Sequence, residues 1–480
     1  MQFKILSVLA MLIIGGFTGR ALAVPGDVNP RTMGLGQAYT ALARGPESAF
    51  WNPANLALSG SSDVHWDLFR VGISLVAENN SFAWTTYMDN FTENNKNVSP
   101  NGTPYYISPE DKIDLLGDIP PEGLKINVDI DPSVALGIPI NGGVAFSIGE
   151  IRSAVSIGLN AGVEAELSRD MFDLFLSGNE FDRNYAISDW DGSGWALGTI
   201  NFSAARAFMP MQLKPYLSEF TAGGTFKISL GSYGEVMESG GTGLSSELSG
   251  FALDSYLVTR SAGFSGSLNK PKPGLGGLGF GLDFGVAAVT KDRKATISLG
   301  FLNLLDTFSW SMDARQDSLF VGASDLRITR FVDEEIADVL DNEDLDGDGT
   351  ADFYKQISDE SFSRSLPAMM RLGVSYQVIP KLMVVGNYDQ AFSDGFGVSS
   401  SPRLAGGVEY RLVDWFPTRI GLSLGGRSNG ASVGFAFGPF QMPSMRFTLL
   451  DFALFTRGGF VPGVAKGTAL SLQLVRIDFI

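Results

Sequence analysis

Residues 280–288 read FGLDFGVAA. Phe280, Leu282, Phe284, Val286 and Ala288 share one parity; Gly281, Asp283, Gly285 and Ala287 share the other. Successive side chains of a strand point to opposite faces, so this is a strand with one apolar face and one small or polar face. The same period of two returns in Leu372, Val374, Tyr376 and Val378 against Gly373, Ser375 and Gln377, and again through 408–412, 420–425 and 433–438. The second face decides the fold. A soluble sandwich buries its apolar face and shows charges outward. Here the other face carries few charges and many Gly, Ser and Ala residues. That composition suits an inner wall, with the Val, Leu and Phe face turned to lipid. Alternation alone looks the same either way round, so the inversion is an expectation.

The bulk composition leads the same way. Met1–Lys4 is basic, 5–17 is the apolar run ILSVLAMLIIGGF, and Ala21-Leu22-Ala23 is a small-x-small cleavage signal. Residues 1–23 therefore read as a secretory signal peptide, too short to span a membrane. Beyond them there is no uninterrupted apolar run of about 18 residues, so spanning helices are not expected. The chain has no cysteine, hence no disulfides, no lipidated Cys and no thiolate chemistry. Its net charge of −17 argues against a nucleic-acid surface. Charged residues make up 18%, below the average of about 25% for soluble domains. Gly is abundant at 58 residues and Phe at 35. An exported chain of this kind can live in a membrane only as a closed barrel, since nothing else satisfies its backbone without helices. The expectation is an all-β fold, a transmembrane antiparallel up-and-down β-barrel in the bacterial outer membrane, with membrane lipid around it.

Hairpin punctuation is regular towards the C-terminus. Ser428-Asn429-Gly430 and Val378-Ile379-Pro380-Lys381 separate alternating runs. From about Pro367 to Ile480 there are roughly seven strands. The last, 468–480, ends with Val475, Ile477 and penultimate Phe479 on one parity. Four polar connections, 89–123, 167–194, 235–250 and 306–367, are assigned to long outer loops, because such barrels keep their periplasmic turns short. Part of 331–340, FVDEEIADVL, suits a short helix there.

Few motifs carry chemistry. Asp344–Lys355 reads DLDGDGTADFYK. Asp344, Asp346 and Asp348 occupy the first, third and fifth positions of a calcium loop, Gly349 gives the turn, Thr350 offers a carbonyl and Asp352 follows. Lys355 stands where a bidentate Glu belongs, so this is a partial loop. Structural Ca2+ is the cofactor expectation, with a solvated acidic turn as the alternative. Gly274–Gly279, GLGGLG, has the spacing of a dinucleotide loop, but a strand rather than a helix follows it, so no phosphate site is expected. His65 is the only histidine and sits at the start of the first strand; a Ser-His-acid triad would have to use it and a zinc site would have to find its other ligands among carboxylates, so an interfacial or lumen-facing histidine is expected. No carboxylate pair stands out as a glycosidase centre. The chain reads as no enzyme.

Residues 40–58 read TALARGPESAFWNPANLAL. Gly45-Pro46-Glu47 starts a short helix, and Trp51-Asn52-Pro53 stops it. Another turn begins at Pro53. The result is a broken-helix element with an aromatic knob, which sits inside or against what the strands enclose. Its neighbourhood, Met33-Gly34-Leu35-Gly36-Gln37-Ala38-Tyr39-Thr40-Ala41-Leu42-Ala43 followed by Phe50-Trp51-Asn52-Pro53-Ala54-Asn55-Leu56, resembles the N-terminal signature of the FadL/TodX superfamily of outer-membrane proteins and its PorV/PorQ-like relatives. The resemblance implies about fourteen strands and an N-terminal plug in which Asn52, Pro53 and Ala54 form the lumenal turn beside Phe50 and Trp51. The division expected is 1–23 signal peptide, 24–60 plug and 61–480 barrel. It further implies passive uptake of a hydrophobic ligand, fatty-acid- or hydrocarbon-like. The PorV-like alternative is a docking protein that uses its outer loops for protein partners. In the uptake role the Gly-rich inner face would leave room for the ligand.

Overall fold

The computed structural model describes residues 29–60, 63–92, 95, 97–98, 107–136, 138–178, 180–246, 251–265, 272–326 and 353–480. Fourteen antiparallel strands close into a barrel. In chain order they are β1 (Val64–Asn79), β2 (Leu124–Leu136), β3 (Ile151–Leu167), β4 (Trp190–Ala207), β5 (Leu217–Ser246), β6 (Gly277–Thr290) and β7 (Ala295–Leu302). Then follow β8 (Met369–Ile379), β9 (Leu382–Ala391), β10 (Arg403–Val413), β11 (Phe416–Gly425), β12 (Gly430–Phe437), β13 (Leu450–Arg457) and β14 (Gly467–Phe479). Each pairs with its neighbour in sequence, and β1 pairs with β14 from Trp66↔Phe479 to Glu78↔Gly467, which closes the ring. Closure leaves the ring no unpaired outermost strand, the condition for backbone at bilayer depth. Among the described residues, no helix is long and apolar enough to cross a membrane.

The two faces are inverted relative to a water-soluble barrel. On β11, Ile420, Leu422 and Leu424 point outward and Ile420 is 61% exposed, while Arg419, its inward neighbour, is 5% exposed. On β6 the FGLDFGVAA run turns Phe280, Phe284 and Val286 out and buries Asp283. The expected partition therefore holds, with the apolar face toward lipid and the Gly, Ser and charged face toward the lumen.

The connections divide by length. The turns 149–150, 291–294 and 380–381 are short, whereas the opposite end carries helices and extra strands. Among the described residues three helices lie there: α3 (Trp84–Phe91), α4 (Pro109–Asp118) and α5 (Arg169–Ser177). Two shorter helices, α1 (Pro30–Gly34) and α2 (Ser48–Trp51), precede β1 and form part of the plug. Two expected loops need correcting. The stretch 235–250 is not a loop through most of its length, because β5 runs on to Ser246 and pairs with Phe251–Ala262. Segment 306–367 contains the strands Thr307–Trp310, Arg315–Leu326 and Phe353–Ser358. Arg315–Leu326 pairs with Phe251–Ala262 on one side and with Phe353–Ser358 on the other. Gly and Ser read as loop residues, but strand pairing uses the backbone, and the glycines here sit at register shifts between Val236 and Gly243. Residues 1–28 and 327–352, which hold the signal peptide, the 331–340 helix and most of the acidic motif, lie outside the described residues.

Candidate functional site

The plug spans 29–60 and fills the short-turn half of the lumen. Asn29 caps α1 (Pro30–Gly34) by accepting from Thr32 N at 2.8 Å, with Pro30 at the first helical position. Residues Gly45–Glu47 form a 3-10 turn, Ser48–Trp51 form α2, Asn52 is extended, and Pro53–Ala57 make a second 3-10 turn. Asn52 is extended because the residue before a proline avoids helical geometry. Its Oδ1 then accepts from Ala54 N at 2.9 Å and caps the second turn. Its Nδ2 donates to Val286 O at 3.0 Å and Ser298 Oγ at 2.6 Å. Ser298 donates to Asn55 Oδ1 at 2.9 Å, and Asn55 donates to Thr40 O at 2.6 Å. This chain of bonds, buried except for the partly buried link to Val286, ties the turn to β6 and β7.

The five expected plug residues Phe50, Trp51, Asn52, Pro53 and Ala54 are all buried and all touch the lumen wall or the plug's own core. Tyr39 meets Trp51 edge-on at 5.5 Å, and the Arg371 guanidinium of β8 lies 4.3 Å from the Trp51 ring. The wall meets the plug through a girdle of inward glycines. A Cβ on Gly407 would lie 2.7 Å from Leu35 O, one on Gly373 2.6 Å from Ala41 N, and one on Gly300 2.8 Å from Trp51 O. Gly421, Gly285 and Gly223 meet Gly36, Asn52 and Pro53 in the same way. The Gly-rich inner face is therefore not open room for a ligand along its length. In the lower half it is the space into which the plug backbone is fitted.

Ion pairs fix the plug's ends. Arg31 makes a bidentate pair with Glu409 of β10 (2.8 and 3.1 Å), and Glu409 also accepts from Arg419, which pairs with Asp451 at 2.6 Å. Glu47 accepts from Arg476 of β14 at 2.7 Å and lies 3.5 Å from Arg70 of β1. Burial alone would raise the Glu47 carboxyl, but the Arg476 and Arg70 guanidiniums hold it below the usual range. Tyr39 donates to Glu47 at 2.9 Å, and burial together with that carboxylate pushes the phenol upward. His65, Asp67 and Asp478 converge within 4.8 Å at this seam. Arg70 and Arg476 already bond Asp67, at 3.1 and 3.2 Å, so the group is an ion-pair network and not a metal centre.

Above the plug lies a cavity of about 160 Å³. Its floor includes Gln37 and Phe50, and its roof includes Leu366 and Phe396. The roof belongs to an aromatic cluster in which Phe308 stacks on Trp310 at 4.1 Å and Tyr233 lies 5.0 Å from Phe396. The walls are charged. Arg403 bonds Asp389 and Gln37, and Arg427 bonds Asp129 at 2.9 Å and Glu78 at 3.1 Å. Outside the strands, Asp306 accepts from Leu366 N at 3.2 Å, and burial pushes its carboxyl up to about 6.

Beside the cavity the ladder between β2 and β3 is interrupted, although β1 stays paired along the other side. β2 and β3 pair from Leu124↔Leu167 to Ile130↔Ala161. Pairing resumes only at Gly142↔Ile157, through the strand Gly142–Ile148. On the β3 side, 131–136 and 138–141 thus face only 158–160, while 131–136 keep their pairing with 69–74 of β1. The surplus folds into a tight turn, Leu136↔Ile138. Side chains replace the missing ladder. Asn141 accepts from Leu159 N at 2.7 Å and donates to Leu159 O at 2.8 Å and Pro132 O at 2.6 Å. Asn160 donates to Asp131 Oδ1 at 2.8 Å, and both line the cavity. Sequence reading missed this feature. Its signal was Gly137-Ile138-Pro139-Ile140-Asn141-Gly142-Gly143, a turn-rich stretch inside a strand-like run. The expected calcium ligands Asp344, Asp346, Asp348, Thr350 and Asp352 lie outside the described residues.

A family model described as a family of unknown function (DUF5723) matches residues 53–445, most of the chain. No curated protein matches it. Among solved structures it is similar to the Ralstonia pickettii toluene transporter TbuX, at 13% identity over 94% of this chain and 98% of that one, with a TM-score of 0.45. A Pseudomonas aeruginosa FadL homologue is 13% identical over 95% and 97%, TM-score 0.48. The CymD monoaromatic hydrocarbon channel is 11% identical over 95% and 98%, TM-score 0.48.

Proposed function

The chain belongs to the DUF5723 family, a family of unknown function, and from its geometry we propose that it is a bacterial outer-membrane barrel for passive uptake of hydrophobic small molecules. The observation that carries this is a juxtaposition. A lumenal cavity lies under an aromatic cluster, above a packed plug and beside an interruption of the wall. The plug blocks the axis, so a solute that has passed the aromatics leaves sideways, between β2 and β3, into the bilayer. Asn141 and the Asn160–Asp131 bond stand at that exit. The cavity is not a dry apolar conduit. Its charged walls favour a fatty-acid-like amphiphile over a bare hydrocarbon, because a polar end would find partners there. Surrounding lipid and the cargo are then the natural partners.

A cysteine-free chain makes the exit easy to lock. Asp131→Cys with Asn160→Cys places two thiols where the side chains already meet. Oxidation should stop fatty-acid uptake by cells that depend on the barrel, and a reductant should restore it. Unchanged uptake after confirmed cross-linking would remove the lateral route. Native mass spectrometry of the purified barrel, with lipid extraction, tests for co-purified amphiphiles.

A docking role is the second reading. It is favoured by the paired strands 251–262, 315–326 and 353–358, which uptake does not require. The acidic stretch 344–352 adds the proposal of a structural Ca2+ loop, tested by terbium luminescence on the wild type and on Asp346→Asn.

A further inference from the structure

Helix α3 carries Trp84, Tyr87 and Phe91 at a helical spacing of three and four, so the three rings share one face. The rings form a ladder, 5.9 Å between the first two and 6.1 Å between the second two. They are 60, 49 and 38% exposed, and Asp89 is the helix's one charged residue. A helix that buries none of its residues does not hold its place by core packing. It is instead pinned to the loop before β14, with Trp84 N donating to Ala465 O at 3.2 Å and Thr85 N to Gly463 O at 3.0 Å. That loop adds Phe460, Val461 and Val464, the last two about 60% exposed.

The patch continues the lipid-facing belt. Leu75 of β1 lies opposite Leu470 of β14, and the outward residues Val71, Ile73 and Leu75 climb toward it. Ala465 is five residues beyond Leu470, at most about 17 Å along the strand direction. A barrel's apolar band is flanked by aromatic girdles where acyl chains give way to headgroups. We propose that the aromatic face of α3, with the 458–466 loop, is a lipid-binding foot seated in the interfacial zone of the outer leaflet, beside the seam where β1 meets β14. Its occupant is the acyl–headgroup boundary. The contact is independent of what the lumen carries.

Single cysteines report on this directly, because the chain has none of its own. Tyr87→Cys and Val464→Cys are labelled with an environment-sensitive fluorophore in phospholipid vesicles. Leu424→Cys, in the belt, serves as the lipid reference, and exposed Ser393→Cys as the water reference. Nitroxide-labelled lipid should quench both test positions about threefold more than Ser393, with the emission shifted to the blue. Strong quenching by aqueous iodide at both positions, with no effect of nitroxide lipid, would overturn the proposal and mark the patch as a protein-facing surface. Two sites keep the test valid if one variant fails to fold.

Discussion

Replacing Asn52 by Ala removes one carboxamide from the centre of the plug. Three hydrogen bonds go with it: the cap on Ala54 N and the links to Val286 O and Ser298 Oγ. Two are buried and the bond to Val286 O is partly buried; at about 1 kcal/mol net each, the docked plug loses about 3 kcal/mol. That is roughly a hundredfold in the ratio of docked to released plug. The wall is untouched, since Val286 and Ser298 keep their pairings on β6 and β7. The plug should therefore loosen while the barrel stays closed. Two assays read the difference. Trypsin should cut after Arg31 or Arg44, which the docked plug protects, and planar bilayers should show open-channel events that the wild type lacks. Ser298→Ala should act in the same direction by about 2 kcal/mol, and the double variant should fall short of the sum because the two residues share a bond. The plug would not be held as described if Asn52→Ala resisted trypsin like the wild type, or if the whole barrel melted before the plug was cut.

Other expectations follow from the same contacts. Gly36→Ala puts a Cβ 2.6 Å from Leu422 O, at a position whose φ is +65°, and should expel the plug at a cost of at least about 1–3 kcal/mol, read as channel opening. Glu47 is held below its usual range by Arg476 and Arg70 against burial, so its contribution is present above about pH 4.5 and lost as pH falls further. Acid should release the plug, measured by tryptic cleavage after brief exposure, and Glu47→Gln should flatten that dependence. Asp306 runs the opposite way. Burial raises it to about 6, so its contribution is full below about pH 4 and lost as pH rises through 6. Asp306→Asn should abolish that slope in the thermal midpoint. Asn141→Ala removes three bonds across the wall interruption and should raise the basal leak of small amphiphiles into the bilayer without opening an axial conductance.

Much of this was legible in the chain. The period of two around Phe280–Ala288 gave the strands, and the scarcity of charge on their second face gave the inversion, because lipid and water select opposite partitions. The Gly-Pro-Glu start and the Trp-Asn-Pro stop gave the broken helix, since both are local backbone effects. What stayed hidden is non-local. The partner of each inward glycine is a backbone atom hundreds of residues away, as with Gly373 and Ala41. The charges of the lumen read as scattered polar residues until the ring brings Arg31 to Glu409, or Arg427 to Asp129. The wall interruption was present as Gly-Ile-Pro-Ile-Asn-Gly-Gly, but a turn signal inside a strand is read as a loop when register is unknown. The 235–246 extension failed for the converse reason, since composition spoke for a loop and pairing overruled it.

The bond between Glu47 and Arg476 joins positions 429 residues apart in the chain. Glu47 precedes the first strand and Arg476 belongs to the last. The plug therefore emerges first and finds its final partner last. A barrel that closed before the plug was seated would bury Arg476 and Arg70 against Asp67 and Asp478 without their third carboxylate. Closing the ring thus also completes the plug's ion pairs at the seam. A truncated or misregistered final strand would therefore cost the plug one of its anchors as well as breaking the ring.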